Sequence, residues 1–264
     1  MSALLSTLSE LTGWTYFILW SASFYPIAWT MYYNKNATGV SIDYSIISIY
    51  GYVMYLIYTY TGFIYPQIGT NHVSSQDVFF ATHSVMMCST YITGILIFKN
   101  GNQRIHLYSY SIIMLCMIVT IIIFIFEMRG TITGNKFLNT AMFWGYVKDV
   151  LSLVMYIPQA YRNYSRKSTK GYNIWSVHWD LSGGLFSYLQ LLIDSMIDGN
   201  VNILKGGLNI GKFGLSVISI VFNLIFIAQH YWIYREGSKT EDESTTDNED
   251  WINDPSVPLL KTFK

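Results

Sequence analysis

Between residues 11 and 234 the chain is a succession of long apolar runs separated by short polar turns, which restricts the folds open to it. A bilayer core needs roughly 20 apolar residues in a helix to be crossed. Seven runs meet that length: Leu11–Tyr33, Ile42–Ile64, Val78–Phe98, Leu107–Met128, Phe137–Tyr164, Ile174–Ile197 and Lys212–Tyr234. Lipid offers backbone amides no partner, so runs like these must form helices. Only 12% of residues are charged, and eight of the 16 acids lie after Tyr234. A soluble domain carries about twice that charge. The sequence therefore predicts an all-α membrane protein with seven transmembrane helices.

The chain also repeats itself. A shift of 132 residues superposes Pro26 on Pro158, Ala28 on Ala160, Tyr32 on Tyr164, Lys35 on Lys167, Gly39 on Gly171, Ile42 on Ile174 and Gly51 on Gly183. Average residue usage would give about two such identities over that ungapped stretch. The first helix thus corresponds to the fifth and the second to the sixth. With four helices between copies, both copies run the same way through the membrane. The predicted organisation is two parallel three-helix repeats, 11–98 and 137–234, joined by an inverting fourth helix within 99–136. A short lumenal N-terminal segment, 1–10, precedes them. An acidic tail, 235–264, follows and is expected to be disordered.

Lysine and arginine placement sets the expected orientation. One side holds Lys35, Lys99, Arg104, Arg162, Arg166, Lys167, Lys170 and the four bases of the tail; the other holds Arg129, Lys136, Lys205 and Lys212. The tail is expected in the cytosol and the N-terminus in the lumen. The same rule explains the basic turn at 162–170 without nucleic acid. Transporters commonly bind substrate near mid-membrane between such halves.

Charged groups inside apolar runs are costly and kept for function. Asp180 lies within the sixth run, with Ser176 and Gly184 a turn to either side on its face. Such a carboxylate can load a proton from an acidic compartment and release it to neutral cytosol; a permanent pair with Lys148 is the structural alternative. Lys148 is the one base wholly inside a run, suited to a substrate carboxylate or to Asp180. Pro26 and Pro158 kink equivalent helices near their cytosolic ends and are expected hinges between rocking halves. Asp77 and Asp43 stand at helix starts, where capping explains them. Tyr16, Trp20 and Phe24 form an aromatic stripe at four-residue spacing, which suits packing or an interfacial belt. Cys88 and Cys116 read as small core residues. No phosphate loop, nucleophile triad or metal-ligand spacing appears, so the expectation is a transporter, with no enzyme activity and no cofactor beyond the coupling proton.

At this point the residues resemble a known family. YIPQAYRNYSRKSTKGYNI resembles the PQ-loop repeat, and SFYPIAWTMYYNKNATGVSID its first copy. GWTYFILWSASFYP, SSQDVFFATHSV, GNQR, WDLSGGLFSYLQ and GKFGLSVISIVFNLIFIAQH, in order from Gly13 to Arg235, are similar to the cystinosin family of lysosomal proton-coupled cystine exporters. The resemblance implies that cystine leaves an acidic lysosome or vacuole with a proton. It implies Asp180 as proton carrier and Asp77 as a second acid of the cycle. Lys148, Lys212, Tyr16, Trp20, Phe24 and Gln159 would line the substrate path, with Ser176 in the substrate region. The sequence departs from the family at Ile27, where a glutamine is missing, and at Met155, where a lysine is usual. Ser176 and Ser48 each replace an asparagine, and Asn223 replaces an acid. Two other functions fit the same scaffold: export of a different amino acid, and a non-transporting receptor. The tail also offers a surface for trafficking adaptors.

Overall fold

The computed structural model describes residues 2–65, 75–131, 140–197 and 210–235. Among them are seven α-helices in chain order: α1 Ser2–Tyr33, α2 Ile42–Ile64, α3 Ser75–Ile97, α4 Leu107–Met128, α5 Thr140–Arg166, α6 Ile174–Ile197 and α7 Ile210–Ala228. The acidic tail from residue 236 lies outside the described residues, as do Lys136, Lys205 and the Lys212 side chain. Helix α1 starts nine residues before the predicted span. Residues 2–12 hold helix-forming Ala, Leu and Glu, with no Gly or Pro to stop them. Helix α7 gives way to a π-turn, Gln229–Ile233, closed by Tyr234 N–H donating to the Gln229 carbonyl at 2.9 Å.

The 132-residue repeat is visible in atomic detail at the two turns. Helices α1 and α5 both end on a lysine with left-handed backbone, Lys35 (φ 48°) and Lys167 (φ 52°). The next residue, Asn36 or Ser168, returns its N–H to Met31 or Asn163 at 3.1 and 3.3 Å. That is the six-to-one bond of a Schellman ending. Val40 N–H to the Ala37 carbonyl is matched by Tyr172 N–H to Thr169, at 3.3 and 3.1 Å. Gly39 and Gly171, equivalent under the shift, meet backbone to backbone, so the repeat axis passes between them.

Contacts between the halves obey the same symmetry: α1 packs along α6, and α5 along α2. Within each half the third helix touches both of the others. The core at the centre includes Met31, Val40, Ile47, Tyr91, Leu151, Val177 and Phe226. Helix α4 packs against α5 and α2 and buries only Ser109 and Ile123.

Among the described residues, three segments are long and apolar enough to cross a membrane by length and composition alone: Asp77–Ile97, Leu107–Met128 and Phe213–Ile233. The other four helices, α1, α2, α5 and α6, are those through which the halves meet. All four bury polar groups, such as Thr12 on α1, Ser45 and Ser48 on α2, Gln159 and Asn163 on α5, and Ser176 and Ser187 on α6. Their polarity faces protein, which lowers apparent hydropathy without exposing polar atoms to lipid.

Asp43 differs from expectation. Ser41 caps α2, accepting Tyr44 N–H, while Asp43 reaches across to the start of α4. Its carboxylate accepts His106 N–H (2.9 Å) and Ser109 Oγ (2.6 Å), and pairs with His106 Nδ1 (2.6 Å). Helix starts carry unpaired N–H groups and positive dipole, so Asp43 anchors α4 rather than capping its own helix.

Candidate functional site

Asp180 sits in α6 where α5 and α7 converge. Its Oδ2 accepts Tyr156 Oη from α5 at 2.9 Å and Asn223 Nδ2 from α7 at 2.5 Å. Its backbone carbonyl accepts Trp20 Nε1 from α1 and Ser219 Oγ from α7, each at 3.2 Å. Asn223 is held by a further bond to the Ser219 carbonyl at 2.8 Å. Three helices therefore fix one carboxylate. Donors on a carboxylate favour its anion, and burial favours its acid. The repeat-equivalent position, Ser48, carries no charge and gives its hydroxyl to Met155 Sδ at 3.4 Å. The repeat therefore does not duplicate this carboxylate.

Lys148 is 6% exposed in α5. Its Nζ lies over the Tyr52 ring, 4.3 Å from the centroid, and donates to Ser152 Oγ, which in turn bonds the Lys148 carbonyl. A desolvated cation over an aromatic face gains about 2 kcal/mol, well short of the several kcal/mol of burying the charge. Lys148 and Asp180 interact through space, yet the one ion pair within 4.0 Å among the described residues is His106–Asp43. The static Lys148–Asp180 pair weighed from sequence is not formed. Ser176, one turn before Asp180, is 3% exposed, and its Oγ has no hydrogen-bond partner.

The aromatic stripe of α1 faces the bundle interior. Tyr16 meets Trp20 edge-on (5.2 Å), Trp20 lies by Phe80 (6.2 Å), and Phe24 packs on Tyr52 and Tyr91 (5.8 and 6.1 Å). Asp77 stands two residues inside α3 and receives Tyr55 Oη at 3.5 Å; Tyr16 lies within its electrostatic reach. Asp77 is therefore turned toward Tyr55 and the α1 aromatics.

Gln159 is fully buried, one turn beyond Tyr156. It donates to the Gly39 carbonyl (2.9 Å) and to Asn163 Oδ1 (3.0 Å), and accepts Ser41 N–H (2.8 Å). Asn163 passes the chain on to Gln229 Oε1 (2.9 Å), and Gln229 Nε2 returns to the Ala160 carbonyl (3.0 Å). In this conformation Gln159 ties the α1–α2 turn to α5 and lies apart from Lys148 and Asp180. Pro26 and Pro158 fall inside α1 and α5 at equivalent depth. Tyr156, Tyr52 and Gln229 were not singled out from sequence. A signal existed for the first: Lys148, Ser152 and Tyr156 repeat every four residues on one face of α5.

The PQ-loop repeat family model matches residues 8–68 and 141–196, one match in each half. Bovine cystinosin is 34% identical over 245 residues, 89% of this chain and 65% of its own length. A cystinosin homolog of Dictyostelium discoideum is 33% identical over 257 residues, covering 94% of this chain and 88% of that protein. The chain belongs to the cystinosin family. A protein of Saccharomyces cerevisiae named as a cystine transporter is 25% identical, covering 87% of this chain and 95% of its own length. The chain spans less than two thirds of the bovine protein.

Against the cystinosin-family pattern, Asn223 takes the place of an acid and supplies the shorter of the two bonds to the Asp180 carboxylate. Met155 takes the place of a lysine, is 5% exposed and packs against Ser48. Two glycines equivalent in the repeat make contrasting demands. A Cβ at Gly183 would fall 2.4 Å from Trp20 Cδ1, whereas one at Gly51 would meet Leu151 and Lys148 at an ordinary 3.5 Å. Gly183→Ala should push the Trp20 ring off the Asp180 carbonyl and cost about 1–3 kcal/mol, as overpacked cores do. Gly51→Ala should be neutral or stabilise by up to about 1 kcal/mol, since its Cβ has room and alanine is the better helix former. Thermal unfolding of the two purified variants side by side measures the difference, and equal midpoints would refute the close α1–α6 approach.

Proposed function

We propose that the chain exports cystine, coupled to protons, from a lysosome or vacuole lumen to the cytosol by alternating access. The observation that carries the proposal is Asp180, a carboxylate held by side chains of α5 and α7 where the two halves meet, with Lys148 buried nearby outside ion-pair distance. A group so placed can change protonation without exposing charge to lipid, and a bound substrate's charges can alter that balance. Names borne by relatives, cystinosin and cystine transporter, supply the substrate class. Lys148 suits a substrate carboxylate, and the unpartnered Ser176 Oγ suits a polar substrate group. Lys212 lines the substrate path and Asp77 serves as a second acid of the proton cycle, with the tail in the cytosol. Pro26 and Pro158 serve as hinges, each removing one rung of a helix ladder at equivalent depth.

Met155 and Ser176 favour a second reading, export of another amino acid on the same scaffold. A counterflow screen across amino acids in proteoliposomes separates the two. Cystine preloading should drive labelled cystine uptake above all other solutes. Stronger counterflow with a different amino acid would reassign the substrate, and none with any solute would overturn transport.

A further inference from the structure

Four segments converge at one end of the bundle. Ala37 N–H donates to the Lys99 carbonyl (2.8 Å), joining the α1–α2 turn to the α3–α4 turn. Arg162 donates to the Thr38 carbonyl from Nε and Nη2 (3.1 and 2.9 Å), and Gly39 abuts Gly171. Thr169 Oγ1 bonds His230 Nδ1 (2.7 Å), bringing in the end of α7. These segments carry eight of the chain's 16 bases. Lys35, Lys99, Arg104, Lys167 and Arg235 are exposed. Their acid among the described residues is Asp43, which is 3% exposed and engaged with His106 and Ser109. The face carries eight bases less one acid, a charge of +7 with His neutral.

The chain leaves the bundle at this same place. Lys167 Nζ sits 3.5 Å from the Tyr164 ring centroid and 5.9 Å from that of Tyr234. Residues 236–254 then bring eight acids against the single base Lys239, a charge of −7. The acidic triplet Glu241–Glu243 begins six residues beyond Arg235, a reach of roughly 20 Å in extended chain. Packed helix axes lie about 8–10 Å apart, so that reach covers the turns from α7 back to α1. Screening confines attraction between exposed charges to about 8 Å at physiological salt, and the short tether keeps the acids near that range.

From charge, reach and point of exit, we infer that residues 236–254 dock on the basic face formed by the α1–α2, α3–α4 and α5–α6 turns. The inference does not depend on which solute is carried.

Carbodiimide cross-linking of the full chain, read by mass spectrometry, tests it, since the reagent joins carboxylates to amines in direct contact. In phosphatidylcholine vesicles, tail carboxylates should couple to Lys35, Lys99, Lys167 or Lys170. These products should be lost at high salt and in the variant Glu241→Gln, Asp242→Asn, Glu243→Gln, Glu249→Gln, Asp250→Asn. Coupling confined to Lys239, Lys261 and Lys264 would overturn the inference. So would loss of the face products when phosphatidylserine is added, because lipid head groups would then hold the face. Their persistence with phosphatidylserine would support the tail as occupant.

Discussion

Asp180→Asn is expected to abolish substrate-driven proton movement while leaving the bundle folded. The substitution preserves side-chain shape, and the remaining amide oxygen can still accept from Tyr156 Oη or from Asn223 Nδ2, which now share the carboxylate's Oδ2. The lost interaction is of the order of one hydrogen bond, about 0.6 kcal/mol for polar pairs between membrane helices, so the unfolding midpoint should move by only a few degrees. The amide cannot take up or release a proton near neutral pH. Gradient-driven uptake should therefore fall to background. Exchange of labelled for unlabelled substrate, with no net proton transfer, should persist. Substrate-dependent acidification that survives in the variant would remove Asp180 from the coupling role.

Gly39→Ala should damage the protein more broadly. A Cβ there would lie 2.4 and 2.5 Å from the carbonyl carbon and Cα of Gly171, and 2.5 Å from the Lys170 carbonyl oxygen. All three are backbone atoms, so no side-chain rotation relieves the clash. The turns must separate by roughly 1 Å to restore carbon–carbon contact distance. That separation loosens both Gln159 bonds to the α1–α2 turn and both Arg162 bonds to Thr38. Four bonds at about 0.5–1.5 kcal/mol each place the loss at roughly 2–6 kcal/mol. Gly214→Ala provides the control, since its Cβ would meet nothing within 4 Å and alanine is the better helix former. The Gly39 variant should unfold well below wild type and transport poorly, and the Gly214 variant should match wild type or exceed it. A Gly39 variant as stable as wild type would contradict the close meeting of the halves.

Much of this architecture was legible because membrane helices advertise themselves by length and because duplication leaves identities at a fixed shift. Lys35 and Lys167 show where one such identity falls in the fold. Each occupies the left-handed residue of a helix ending, a position that favours glycine; nothing in the structure explains the preference for lysine. Asp180 and Lys148 were legible because charge is rare in apolar runs. Their partners were less so, since hydrogen bonds between α5, α6 and α7 join residues 24 and 43 positions apart. Gln159 illustrates the limit. Its motif marks it, but its bonds run to backbone atoms of the Gly39–Ser41 turn, about 120 residues away, and backbone groups leave no trace in side-chain pattern. The π-turn at Gln229 and the reach of Asp43 to α4 escaped for the same reason, being set by tertiary contacts rather than local periodicity.

The most direct test of the functional account is uptake of radiolabelled cystine into proteoliposomes with and without an imposed inward proton gradient. The account predicts that the gradient raises uptake several-fold and that a protonophore removes the stimulation. Folded protein that takes up no cystine, or takes it up equally with and without the gradient, would contradict it.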